Sequence, residues 1–113
     1  MITTTYYRGL FWLCVLGAVV LSLMPATGIR LFELQDKVAH AVLYAALYYI
    51  AVRAYGSSFS LLLLAVMIMC FGLSLEIAQS MTSYRYGDIW DFAANSIGVI
   101  AIWLFLVARG RLE

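Results

Sequence analysis

Charge is scarce in this chain. Asp, Glu, Lys and Arg together make up 12% of its 113 residues, about half the share in an ordinary globular domain. The net charge is +1, so there is no basic excess of the kind nucleic acid demands, and no nucleic-acid partner is expected. There are two cysteines, Cys14 and Cys70, both inside apolar runs. Their spacing fits no metal motif, and thiols so placed act as small hydrophobes, so no disulfide is expected. The one proline, Pro25, falls in a gap between apolar stretches. No repeat or low-complexity segment divides the chain, which is read as one domain.

Apolar residues fill the space that charge leaves. They account for 65% of the chain, and the mean hydropathy is +0.97. A soluble fold of this size buries too small a share of its surface to hide that much. Lipid is the expected solvent. Crossing about 30 Å of hydrocarbon takes a helix of about 20 apolar residues, and four candidates meet or approach that length: 9–25, 37–55, 59–80 and 89–108. The gaps between them hold Pro25, Gly28, Gly56 and Gly87, residues that favour turns. The first run has Arg8 on its flank, as a signal peptide would. But "SLMPATG" is a poor cleavage site and the run is longer than a typical signal core, so it reads as an uncleaved span.

The expected fold is therefore all-α, a four-helix transmembrane bundle with both termini on one side. Arg8, Arg53, Arg109 and Arg111 gather on that side, against Arg30, Lys37 and Arg85 on the other. The positive-inside rule then favours termini in the cytoplasm.

The remaining polar residues fall on three helix faces. In "DKVAHAVLYAAL", Asp36, Lys37, His40 and Tyr44 lie within an arc of about 100° at helical periodicity. In "SLEIAQS", Glu76, Gln79 and Ser80 share a face by the same count. At the start of the fourth run, Asp88, Asp91 and Asn95 share an arc of about 60°, and Gly98 continues the stripe. Four spans would bring all three faces to the outer end of the bundle, leaving the opposite ends with flanking arginines and little else. Ionisable groups within a membrane face the bundle interior, pair with one another and mark functional sites. Gly72 and Gly98, inward on these stripes, would admit close helix approach.

Three of these stretches, "DKVAHAVLY", "EIAQ" and "RYGDIWDFAANSIG", occur in this order over residues 36–98 and resemble the VanZ-like family of bacterial membrane proteins. The resemblance marks Asp36, Lys37, His40, Tyr44, Glu76, Gln79, Arg85, Asp88, Asp91 and Asn95 as the characteristic positions. It implies an integral protein of the cytoplasmic membrane, crossing it several times and linked to the cell envelope, in a family named for a protein associated with teicoplanin resistance.

The residues also have blander readings. Asp36 and Asp88 each precede an apolar helix, where an N-cap is expected, and Asp91 could complete a variant capping box. Capping cannot explain Glu76, which sits near the end of its helix where a carboxylate opposes the macrodipole. It needs a partner such as Lys37, Arg85 or His40. With Glu76 and Asp91 close by, His40 becomes a candidate for acid–base work. Tyr44, Gln79 and Asn95 would position a ligand, and Lys37 and Arg85 would hold an anionic headgroup or phosphate. His and carboxylates also suit Zn²⁺, but with one histidine and no local ligand motif neither a metal nor any other cofactor is expected.

Three functions compete. One is binding or modification of an envelope lipid, cell-wall precursor or glycopeptide. The second is an enzyme using His40 with Glu76 or Asp91 on a lipid-linked substrate. The third is a structural membrane subunit, and a homo-oligomer is compatible with any of them.

Overall fold

The computed structural model describes residues 2–23, 33–81 and 89–110, with side chains over 3–20, 38–81 and 89–110. Four helices run in order: α1 (Ile2–Leu23), α2 (Glu33–Tyr55), α3 (Leu61–Ser80) and α4 (Ile89–Ala108). The all-α expectation holds. Three of them are long and apolar enough to cross a membrane, over Val38–Tyr55, Leu61–Ser80 and Ile89–Ala108.

Two helices start earlier than the apolar pattern alone suggests. α1 begins at Ile2, so Arg8 stands inside the helix, and its guanidinium turns onto the next helix. Arg8 Nε donates to the Ala54 carbonyl at 3.0 Å, and the guanidinium lies 4.7 Å from the centre of the Tyr55 ring. α2 begins at Glu33, three residues before Asp36, so Asp36 stands inside the first turn rather than at an N-cap. α3 starts where its sequence says it should. Ser60 is its N-cap, accepting from the Leu63 backbone N–H at 3.0 Å, so one of the unpaired amides of the first turn is satisfied.

Successive helices run antiparallel. The Arg8 bond joins the start of α1 to the end of α2, and the short turn around Gly56 reverses the chain into α3. Tyr48 bridges that second reversal, its buried hydroxyl donating to the Leu61 carbonyl at 2.9 Å. The start of α1 and the end of α4 consequently lie at the same end of the bundle. α2 touches all three other helices and packs most extensively on α4, to which it runs parallel.

Glycine sets that α2–α4 spacing. A Cβ on Gly98 would strike the carbonyl oxygen of Ala41 and lie 2.9 Å from its carbonyl carbon, so the two backbones are in direct contact. Buried Tyr44, Leu47, Tyr48, Val52, Leu61, Leu64, Ile68 and Val99 fill the interior. The outer surface is also apolar: Val42, Leu62, Met67, Ile77, Ile97 and Leu104 are each more than half exposed. Helices apolar all round belong in lipid.

Candidate functional site

Glu76 stands four residues from the end of α3, a distance of about 6 Å along the axis. Asp91 lies in the first turn of α4, where the positive end of the macrodipole favours a carboxylate. His40 enters from α2, near the start of its apolar span. Antiparallel packing of α3 on both neighbours brings these three positions to one level of the bundle.

They meet there. Each of the three offers one ligand-type atom, and these atoms all lie within 4.8 Å of one another. His40 Nε2 is 3.7 Å from Asp91 Oδ2, an ion-pair distance beyond the usual hydrogen-bond range. Glu76 and Asp91 are buried, while the His40 side chain retains 23% exposure and is the member most open to the surroundings. Two carboxylates share this small volume with a single imidazole, so proximity in an apolar medium makes charge balance the governing energetic question.

A second layer lies one turn deeper. Four residues on from His40 is Tyr44, four back from Glu76 is Gly72, and four on from Asp91 is Asn95. These three also converge: a Cβ on Gly72 would sit 3.0 Å from Asn95 Nδ2 and 3.1 Å from Tyr44 Cε2. The missing side chain at Gly72 is thus what lets the amide of Asn95 and the ring of Tyr44 approach α3. Asn95 is 1% exposed, yet its Oδ1 has no hydrogen-bond partner among the described residues. A buried acceptor left unmatched costs about 1–3 kcal/mol, so its retention calls for an explanation.

A family model described as VanZ/LLP1 matches residues 6–109. The chain belongs to the VanZ/LLP1 family. No curated protein and no solved structure matches it. Nearly the whole VanZ/LLP1 chain lies within the match, which includes both layers of the polar cluster.

Of the residues singled out from the sequence, His40, Tyr44, Glu76, Asp91 and Asn95 come together, and Gln79 is buried on the same side of α3 as Glu76. Ser80 does not join them. It is exposed, and its hydroxyl donates to the Ile77 carbonyl at 2.7 Å, the usual fate of a serine near a helix end. Arg85 and Asp88 lie outside the described residues. For Asp36 and Lys37 only the helical backbone is described.

The other end of the bundle holds more than flanking charge. Arg53 lies 4.8 Å from the Tyr7 ring and 5.9 Å from the Tyr49 ring, and Trp12 Nε1 donates to the Tyr55 hydroxyl at 2.8 Å. A hollow of about 400 Å³ opens there, lined by Tyr49, Val52, Arg53, Phe105, Leu106, Arg109 and Gly110. It is remote from His40, Glu76 and Asp91, and its shape is no guide to their chemistry. Its signal in sequence is an aromatic residue four before an arginine at the ends of α2 and α4, Tyr49 with Arg53 and Phe105 with Arg109, a spacing that fits cation–π stacking.

Proposed function

We propose that this VanZ/LLP1 protein binds or modifies an envelope lipid or lipid-linked cell-wall precursor at the end of the bundle that carries His40, Glu76 and Asp91. The observation that supports this reading is the convergence of three ionisable side chains from three helices at one level of an otherwise apolar bundle. Lipid tolerates such groups poorly, and where they occur they face inward and serve function. In this reading all four helices cross the cytoplasmic membrane, and the polar end faces outward. Lys37 and Arg85 would contact the phosphate or headgroup of the bound molecule, and Tyr44, Gln79 and Asn95 would orient it. A link to teicoplanin resistance follows if the molecule bound is a precursor on which that drug acts.

The 3.7 Å approach of His40 Nε2 to Asp91 Oδ2 favours a second reading, an enzyme. His40 would exchange a proton with the lipid-linked substrate, while the paired carboxylate held the imidazole in its working tautomer and orientation.

His40→Ala, Glu76→Gln and Asp91→Asn test both readings, with lipid and wall-precursor profiles and teicoplanin sensitivity measured at matched protein levels in the membrane. Altered profiles or sensitivity in these variants support a site. Accumulation of one lipid species points to the enzyme. Three abundant variants indistinguishable from the parent would sink the proposal.

A further inference from the structure

We propose that His40, Glu76 and Asp91 form a three-ligand site for a divalent transition-metal ion, Zn²⁺ or Mn²⁺. This deepens the reading of the trio as a functional site and rests on it. One histidine without a local motif argued against a metal in the sequence, but motif spacing reports only ligands that share one helix. Here each helix supplies a single donor, and no short-range spacing can record that.

Metal–nitrogen bonds of about 2.0–2.1 Å and metal–oxygen bonds of about 2.0–2.2 Å place tetrahedral donors about 3.4 Å apart. The observed 3.7 Å between His40 Nε2 and Asp91 Oδ2 is close to that separation. The whole set within 4.8 Å needs only a small side-chain contraction to close. Imidazole with carboxylates suits borderline ions such as Zn²⁺ and harder ones such as Mn²⁺.

Burial supports the assignment as well. Glu76 and Asp91 are each 8% exposed and lie beside the half-buried His40, so an ion held there would be shielded from its surroundings by the bundle. A proton shared between the carboxylates is the competing solution, and an ion must displace it to bind. Asn95 Oδ1, one turn deeper on the same face of α4, is a buried polar atom without a hydrogen-bond partner among the described residues, as are Ser96 Oγ and Trp103 Nε1 elsewhere on that helix. Of the three, only Asn95 belongs to the layer beneath the trio. Three protein ligands leave at least one coordination position open, the pattern of catalytic rather than structural zinc sites. A phosphate oxygen or water could take that position.

The test uses the full chain purified in detergent with a tag free of histidine. Metal content is measured by mass spectrometry, then the protein is stripped with chelator and titrated with Zn²⁺ and Mn²⁺ separately. The expected result is about one ion per chain and, on adding back the ion, a rise in melting temperature of about 5 °C or more. Glu76→Gln, Asp91→Asn and His40→Ala should each weaken binding at least about tenfold, whereas Tyr49→Phe at the opposite end should not. Asp91→Glu, which keeps the donor, should restore part of the affinity and guards against loss through misfolding. Failure of the parent to bind either ion, or undiminished binding in Glu76→Gln and Asp91→Asn, overturns the metal site. If the parent binds no ion while these variants still change the lipid profile, the metal assignment falls and the proposed function stands.

Discussion

Asn95 is the most informative single residue, because its cost and its conservation of space can be separated. Leucine has nearly the same shape and removes the unmatched acceptor. Replacing a poorly satisfied buried polar group with an apolar isostere is neutral or stabilising. Asn95→Leu should therefore raise stability by up to about 1 kcal/mol, read as an increased melting temperature in detergent, while impairing the lipid phenotype or ion affinity of the site. A variant that is both less stable and fully functional would show that Asn95 is merely a packing residue. Tyr48 makes the opposite case. Its hydroxyl is satisfied by the Leu61 carbonyl, so Tyr48→Phe should cost about 0.5–1.5 kcal/mol and leave the site unaffected, since the bond ties the α2–α3 reversal at the far end.

At the scale of elements, the α2–α4 contact controls the site. Ala41 adjoins His40 in α2, and Gly98 lies seven residues, about two turns, beyond Asp91 in α4. A methyl group at Gly98 meets backbone, which cannot rotate away, so the helices must separate. Gly98→Ala should cost about 1–3 kcal/mol and also widen the His40–Asp91 approach, lowering site function and thermal stability together. Gly72→Ala meets only the Asn95 amide and the Tyr44 ring, which can shift by a few tenths of an ångström. It should change the melting temperature less than Gly98→Ala does. Equal losses for the two variants would refute this difference between backbone and side-chain contact. Both glycines were visible in sequence as small residues on polar stripes. Which one touches backbone was not, because periodicity gives the face of a helix but not its distance from a neighbour.

For the whole molecule, the decisive quantity is the solvent. Ile97 is 63% exposed midway along α4, on the outer surface of the bundle. If that surface faces hydrocarbon, Ile97→Arg should cost about 2.5–3.5 kcal/mol of insertion and reduce the protein recovered in the membrane fraction, with Ile97→Leu unaffected. Normal membrane levels of the arginine variant would place this face against protein or water instead. Reporter fusions at the C-terminus test orientation, and the expected outcome is a cytoplasmic signal.

The sequence by itself determined the helical class, the membrane-like composition, the family resemblance and the faces on which His40, Glu76 and Asp91 stand. These follow from local causes: apolar run length, turn residues between runs, and a fixed angle of about 100° per residue. The apolar run from residue 9 did not show that α1 extends back to Ile2, nor that the partner of Arg8, Ala54, lies 46 residues away. Only the tertiary structure decided which polar faces meet, that Ser80 turns aside, and that Tyr44, Gly72 and Asn95 form a second layer beneath the trio. Those outcomes depend on helix spacing and axial level. Both are set by contacts between residues distant in the chain, above all Gly98 against Ala41, and no local pattern encodes them.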